Sequence, residues 1–236
     1  MKIPTRIAFA AIATLLFACE LIMAGGAGTA LPGEETHIEP REVIFAGAPF
    51  LGDTNAPVVM IEYSDYLCPY CQRHSRQTMP EIIDRYIDEG KLRFVVREYP
   101  IQGLRSQSSA ASLAALCAGG QGKYWEMHAI LVASQAQLTL TGLQAIAVEI
   151  DLDAESFNHC LTQRVYAGQI EKDLAEGSRM GIQGTPSFVL GLADSADPGR
   201  VVVTRFIHGA RDFDYFAAVI DELLASEFEA GAAGSP

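Results

Sequence analysis

The stretch that decides the fold is SDYLCPYC, residues Ser64–Cys71. It follows the apolar run Val58–Ile61 and opens a segment with helical periodicity. Cys68 would then lie at the start of a helix, where unpaired backbone N–H groups and a partial positive charge favour a thiolate over a thiol. Pro69 suits the first helical position because that residue needs no N–H donor. The pattern indicates a reactive thiol pair, Cys68 and Cys71.

A C-x-x-C spacing has three interpretations. Half a zinc site would need two further ligands at similar spacing, whereas Cys117 and Cys160 are isolated. A structural disulfide across so short a loop would add little chain-entropy stabilisation. Thiols at a helix N-terminus, in contrast, have a pKa lowered to roughly 3.5–7.5 and are redox-active. The spacing therefore favours disulfide redox chemistry, and we expect neither a metal centre nor a cofactor.

The composition narrows the classes of partner. The chain has 236 residues, 49% of them hydrophobic, which is ample for a packed core. Its net charge of −12 makes nucleic acid an unsuitable partner, because phosphate binding needs a basic surface. No repeat of 20–50 residues indicates a solenoid.

Residues 1–30 have the pattern of an export signal. Lys2 and Arg6 precede the apolar run Ile7–Cys19, and small residues follow. Two other interpretations stay open: lipidation at Cys19, or an uncleaved anchor, since about 20 apolar residues can span a bilayer. All three place the folded part outside the cytoplasm, in the periplasm or at the outer face of the membrane. Without Cys19 an even number of cysteines remains, which in an oxidising compartment suggests one local and one long-range disulfide.

The order of elements predicts an α/β fold. We expect a linker at 31–41, a short edge strand at 42–45, strands at 58–63, 92–99, 187–190 and 201–207, and helices at 69–89, kinked at Pro80, and 213–224. Between them, residues 106–181 show only helical signals, with Thr141 and Asp153 as N-caps, and predict a helical insertion with its own small core. The expected divisions are 1–30, 31–50 (linker and edge strand), 51–105 and 182–228 (two halves of one domain), 106–181, and a flexible tail at 229–236.

A second motif supplies a resemblance. Gly184-Thr185-Pro186 precedes a strand, and together with Val59–Cys71 it resembles the DsbA-like thiol–disulfide oxidoreductases of the thioredoxin superfamily. The segments Gly122–His128 and Phe157–Leu161 resemble the same family, and the similarity runs over about residues 52–224. The resemblance implies a thioredoxin-like fold in which the helical domain is inserted.

The resemblance also implies roles for the site residues. Cys68 would be the exposed nucleophile and Cys71 its buried resolving partner. Pro186 would be a cis-proline facing the thiols, which an X–Pro bond tolerates far better than other peptide bonds. Thr185, Pro186, Pro69 and Tyr70 would form the substrate-binding face.

Two acidic residues lie near the motif, and a third lies at the end of the second predicted strand. Glu62 matches a buried acid of the family, and burial would raise its pKa so that it could relay a proton to Cys71; an outward-facing side chain is the alternative. Asp65 is expected to be a turn or cap residue rather than a catalyst. Glu98, at the end of the second strand, is a weaker acid candidate.

The remaining cysteines and histidines have structural expectations. Cys117 and Cys160 lie on apolar helical faces, so they are either buried free thiols or, as in some DsbA-like relatives, a second disulfide, which is favoured. His74, one turn past Cys71, is expected to face solvent near the site. His128 and His159 are expected to be packed or surface residues without a role.

The combined interpretation is a monomeric, exported oxidase. Its partners would be cysteine-containing exported proteins and a membrane or periplasmic redox partner that recycles it. Two alternatives remain: a reductase, and a metallochaperone-type assembly factor using the same cysteine pair.

Overall fold

The computed structural model describes residues 36–133 and 138–233. The expectations for the export signal, the anchor and Cys19 fall outside these residues. Within the described ranges, no helix combines the length and the apolar character needed to cross a membrane.

Within the described residues, six strands form one mixed sheet in the order β1-β6-β5-β3-β4-β2. Of the strand pairs in this sheet, β3 with β4 is parallel and the others are antiparallel. Every residue of β3 and β4 is buried, because both faces of the sheet are covered at these two strands. The strands are β1 (Thr36–Ile44), β2 (Phe50–Leu51), β3 (Val58–Ser64), β4 (Leu92–Glu98), β5 (Ser187–Ala193) and β6 (Arg200–His208).

The helices surround this sheet, and the predicted thioredoxin-like α/β fold with helices between β4 and β5 is confirmed. They are α1 (Pro69–Gln77), α2 (Met79–Ile82), a π-helical turn (Ile83–Ile87), α3 (Gln107–Gly119), α4 (Tyr124–Ala133), α5 (Leu140–Glu149), α6 (Ala154–Thr162), α7 (Ala167–Arg179) and α8 (Phe213–Ala233). The predicted kink in the first long helix is a break at Thr78, two residues before Pro80, because the proline ring and its missing N–H interrupt the hydrogen-bond ladder.

The predicted start of the first strand and the predicted end of the last helix were wrong. The expected linker at 31–41 and short edge strand at 42–45 are largely one strand, because β1 begins at Thr36 and pairs along β6. Pro40 is tolerated there because β1 is an edge strand whose register shifts between His37 and Arg41. At the other end, α8 continues to Ala233 instead of ending near residue 224, since alanines and glutamates favour the helix. Of the predicted flexible tail, residues 229–233 are therefore helical.

Of the two N-caps predicted inside the helical block, one is confirmed and one is wrong. Asp153 caps α6 as predicted, and its carboxylate accepts from the Ser156 N–H at 2.7 Å. The cap of α5 is Thr139 rather than Thr141, with the Thr139 hydroxyl accepting from the Gly142 N–H at 3.2 Å. The prediction erred because two threonines lie within one turn and only backbone conformation selects between them.

The helical block does not have a core of its own. One cluster of buried side chains joins it to a face of the sheet, from Met60 in β3 to Leu113, Met127 and Phe157 in the helices. The opposite face carries a second cluster, which includes Val59 and Ile61 together with β5, β6 and Tyr99 side chains. Alternate residues of β3 thus serve two cores, as the two-residue period of a strand requires.

Cys117 and Cys160 are bonded in the structure. Their disulfide joins α3 to α6 across a separation of 43 residues, with 5.9 Å between the Cα atoms. In the chain-entropy model a loop of this size contributes roughly 4 kcal/mol to the free energy of unfolding. The bond therefore fastens two helices of the block to each other.

Helix α7 approaches β4 closely because Gly177 has no side chain. A Cβ at this position would lie 2.4 Å from the Tyr99 ring and 3.1 Å from the Tyr63 ring. Next to this contact, Arg97 of β4 forms ion pairs with Asp173 and Glu176 of α7. The glycine lets these charged groups reach each other.

We predict that Gly177→Ala lowers the free energy of unfolding by about 1–3 kcal/mol, because the added methyl group overpacks the two tyrosines. Gly168→Ala is the matched control: it lies exposed in the same helix, and its Cβ would meet nothing within 4 Å. This control should gain up to about 1 kcal/mol from helix propensity. Urea unfolding of both variants checks the prediction, and equal stability would contradict the close approach.

Candidate active site

The loop before the thiols is held by Asp65. Its carboxylate accepts from the Leu67 N–H at 2.8 Å and the Ile101 N–H at 2.9 Å, and it also accepts from the Ser108 hydroxyl. These bonds tie the end of β3 to the segment after β4 and to α3. Asp65 is a turn residue in this structure, as expected, and not part of the thiol chemistry.

Cys68 is the N-cap of α1, and Pro69 follows at the first helical position. The thiol is half-buried and unbonded to Cys71. Hydrogen bonding from the Cys71 thiol lowers the pKa of Cys68 to about 6, against the opposing effect of burial. The Thr185 side chain and the backbone N–H groups of Cys71 and Tyr70 lower it further. The helix N-terminus therefore favours the thiolate, as its orphan donors require.

Cys71 lies behind Cys68 and is buried. Burial raises the pKa of its thiol well above the usual range, and Cys68 and Glu62 raise it further. The two sulfurs thus differ in a way that suits different roles: one is an accessible thiolate, and the other is a protonated thiol out of contact with solvent.

The Thr185–Pro186 peptide bond is cis and faces Cys68. The Cys68 thiol donates to the Thr185 carbonyl oxygen at a distance of 3.2 Å. Only the thiol can make this bond, because a thiolate has no proton to donate. Loss of the proton therefore frees the carbonyl to accept from another donor.

Glu62 lies in β3 and is buried, so the outward-facing alternative is excluded. The Ser64 hydroxyl donates to its carboxylate at 2.8 Å. Burial raises the pKa of Glu62 to about 7, and the nearby Cys68 charge contributes to the rise. At neutral pH the carboxyl group can both gain and lose a proton beside the thiols.

The prediction for His74 was wrong. It does not face solvent: it is packed between the rings of Phe188 and Phe216, with ring centroids 4.6 and 5.0 Å away. Burial lowers the pKa of His74 to about 3, so the ring is neutral at physiological pH. Helical spacing placed it near Cys71, but the covering rings come from β5 and α8, more than a hundred residues later.

The sequence interpretation gave too little weight to a second buried carboxylate, that of Glu98. Glu98 accepts from the Tyr124 hydroxyl at 2.8 Å and from the Tyr66 hydroxyl at 3.4 Å. Tyr66 also contacts Nδ1 of His128 at 2.9 Å, so His128 is packed, one of the two expected states. Burial raises the pKa of Glu98 to about 8. The sequence signal for this cluster is the position of Glu98 at the end of a strand rich in valine and phenylalanine, although that strand also carries Arg93 and Arg97.

Beside the thiols runs a groove of about 510 Å³. Its walls combine α1, the cis-proline segment and the loop between β6 and α8; they include Tyr70, Arg73, Thr185, Pro186, His208 and Arg211. The predicted substrate-facing residues Thr185, Pro186 and Tyr70 are thus brought together, and Tyr70 is 55% exposed. The basic residues of the groove had no role in the sequence interpretation, because the chain brings them together only through the fold.

We predict that iodoacetamide alkylates reduced protein at Cys68 with a midpoint near pH 6, because the thiolate is the nucleophile. Cys71 should stay unmodified, and Cys68→Ser should abolish the reaction in this range. The same lowered pKa stabilises the folded reduced protein above about pH 8.5, the unfolded thiol value, and this stabilisation is lost as the pH falls through about 6. An alkylation midpoint near pH 8.5 would contradict the lowered pKa of Cys68.

Known proteins resemble this chain in sequence. Na(+)/H(+) antiporter NhaA 3 of Salinispora tropica is 35% identical over 137 residues, which are 58% of this chain and 20% of the antiporter. The chain therefore spans only about a fifth of the length of that curated relative. Disulfide bond formation protein D of Bacillus subtilis is 27% identical over 147 residues, 60% of this chain and 66% of that protein.

Solved structures and family models agree with the geometry. The crystal structure of alpha-DsbA1 from Wolbachia pipientis superimposes with a TM-score of 0.65 at 27% identity, covering 77% of this chain and 92% of that chain. A family model described as thioredoxin matches residues 46–200. With the unbonded thiols at the start of α1 and the facing cis-proline, the chain belongs to the thioredoxin family, as a DsbA-like member of its superfamily of thiol–disulfide oxidoreductases.

Proposed function

We propose that this protein oxidises pairs of cysteine thiols in exported proteins, with a Cys68–Cys71 disulfide as the oxidant. One observation carries the proposal: a half-buried Cys68 thiol, with its pKa lowered to about 6, faces the carbonyl of Thr185 next to a cis-proline. This arrangement combines a good leaving group with backbone polar groups that a substrate chain can pair with.

In the proposed cycle a substrate thiolate attacks the Cys68 sulfur. An S–S bond forms between the substrate and Cys68, the Cys68–Cys71 bond breaks, and its electron pair leaves with Cys71, which takes up a proton. The second substrate cysteine, after losing its proton, then attacks the substrate sulfur of the mixed disulfide, and Cys68 departs as a thiolate. The substrate loses two electrons, and the enzyme holds them as a thiolate and a thiol.

The substrate would lie across Thr185, Pro186, Pro69 and Tyr70. In the disulfide form Cys68 has no thiol proton to donate, so the Thr185 carbonyl is free to accept from a backbone N–H of an extended substrate chain. The exposed Tyr70 ring offers apolar contact at the same place.

The same proposal includes a compartment and a partner. Residues 1–30 would act as an export signal or an anchor, so that the protein works as a monomer outside the cytoplasm, where disulfides persist. An oxidising disulfide partner in the membrane or periplasm would accept the two electrons and restore the Cys68–Cys71 bond.

The stability of the Cys68 thiolate supports the oxidising direction of electron flow. A thiolate that is stabilised in the folded protein favours the reduced enzyme, so the enzyme disulfide is oxidising towards ordinary thiols. The name of the Bacillus subtilis relative, a disulfide bond formation protein, supports the same direction.

A redox titration of Cys68–Cys71 against glutathione tests this proposal. We expect a potential between about −200 and −120 mV, the range of oxidising members of this superfamily. Cys68→Ser, which cannot form the disulfide, is the control. A potential near that of thioredoxin, about −270 mV, would instead assign the protein as a reductase.

A second prediction concerns Glu62 as the group that exchanges a proton with Cys71. The mixed disulfide between Cys68 and 5-thio-2-nitrobenzoate releases its coloured thiol when Cys71 attacks Cys68, and this requires Cys71 to lose its proton. We expect release to rise through an inflection somewhat below pH 7, where Glu62 ionises, because the Cys68 charge that helps to raise the Glu62 pKa to about 7 is absent from the mixed disulfide. In Glu62→Gln the inflection should be absent, and release above pH 7 should be about 10²-fold slower.

This experiment separates proton relay from simple electrostatics. Removal of the Glu62 charge alone would lower the pKa of Cys71 and accelerate release, so faster release in Glu62→Gln would overturn the relay. Ser64→Ala is a graded control, because the Ser64 hydroxyl lowers the pKa of Glu62. Its loss should move the inflection to higher pH without removing it.

A further inference from the structure

The groove beside the thiols contains an unusual concentration of positive charge. We call it the arginine groove, defined by Tyr70, Arg73, Thr185, Pro186, His208 and Arg211. None of the described residues that line it is acidic, although the chain as a whole has a net charge of −12. A local basic groove on an acidic protein focuses the electrostatic potential where a substrate would bind.

The guanidinium groups of the groove are held in place but not neutralised. Arg73 donates to the Ala210 carbonyl at 2.9 Å and lies 5.0 Å from the centroid of the Tyr70 ring. Arg211 lies 5.3 Å from the centroid of the Tyr215 ring. Among the ion pairs of residues 36–133 and 138–233, none includes either arginine. Most of their donors therefore remain available to a carboxylate.

Two carboxylates lie close to the groove but do not line it. Glu81 and Asp212 line an adjoining recess with the two arginines, and Asp212 accepts from the Tyr215 N–H at the start of α8. Among the described residues, neither carboxylate forms an ion pair with Arg73 or Arg211. Burial, and then the charge of Arg211, lowers the pKa of His208. The positive charge of the groove near neutral pH therefore comes from its arginines. The groove therefore contains two arginine guanidinium groups and no carboxylate among its described lining residues.

We propose that the arginine groove selects substrates whose reactive cysteine is flanked by acidic residues. The proposal rests on the proposed oxidoreductase function and names the chemistry of its substrate. Arg73 follows Cys68 by five residues, about 7.5 Å along a helix, and an extended chain advances about 3.3 Å per residue. A carboxylate about two or three positions from the reactive cysteine would therefore reach the groove.

Paired peptides test the selection. Two otherwise identical dithiol peptides carry either aspartates or lysines at positions two and three from the reactive cysteine, and their oxidation by the enzyme disulfide is followed at low ionic strength. We expect the acidic peptide to react about ten times faster, with the ratio falling towards unity in high salt as charges are screened. Equal rates for the two peptides would overturn the selection.

Variants that remove the charge of the two groove arginines test whether the groove causes the preference for the acidic peptide. Arg73→Gln together with Arg211→Gln should reduce the preference to about twofold or less. Arg76→Gln is the matched control, since Arg76 is exposed on the same helix and donates to a backbone carbonyl, but does not line the groove. The control should keep the preference of the unmodified protein. A double variant that keeps the full preference would show that the groove does not provide it.

A binding measurement separates this proposal from the proposed function. Peptides with serine in place of cysteine are titrated into Cys68→Ser/Cys71→Ser protein, in which no exchange can occur. Tighter binding of the acidic peptide, lost with the two groove arginines, supports the groove. Equal binding of both peptides overturns it, whereas preferential binding without any exchange by the unmodified protein would overturn only the oxidoreductase assignment.

Discussion

The pairing of β3 with β5 is the constraint on which the site depends. Tyr63 opposes Ser187 in this antiparallel pair, so β3 ends and β5 begins at the same edge of the sheet. The chain leaves β3 towards Cys68 and enters β5 from Pro186, and the two segments meet with 3.2 Å between the Cys68 sulfur and the Thr185 oxygen. A slip of one residue would turn every side chain of one strand to the other face and separate these atoms.

The rest of the sheet protects that register. β4 and β6 flank the pair, so neither β3 nor β5 has a free edge. The register of β5 against β6 shifts between Leu190 and Gly191, away from the thiol end, because β6 has one extra residue, Thr204, at this point. The Val202 carbonyl passes so close to Gly191 that a Cβ there would lie 1.9 Å from it. The bulge of β6 therefore lies opposite a glycine, and the segment Ser187–Leu190 pairs regularly up to the cis-proline.

Sequence reasoning succeeded where the signal was local. The helix start at Cys68, the break near Pro80 and the cap at Asp153 are each decided by neighbouring residues, and the order of strands and helices indicated the fold. It failed where the partner is distant. Nothing near His74 indicates that Phe188 and Phe216 cover it, and a polar, proline-bearing segment gives no sign of the β6 edge that makes β1 a strand. Periodicity identifies a face but not what packs against it.

The two buried carboxylates, Glu62 and Glu98, differ in the groups that they contact. Burial raises the pKa of Glu62 to about 7 and that of Glu98 to about 8, so pKa alone does not assign their roles. Glu98 accepts from two tyrosine hydroxyls, one of them on the loop that leads to Cys68. Glu62 has one hydroxyl donor and interacts electrostatically with both thiols. A proton relay must change its charge together with the sulfur that it serves, which favours Glu62 for the proposed relay, whereas the contacts of Glu98 are to tyrosine hydroxyls.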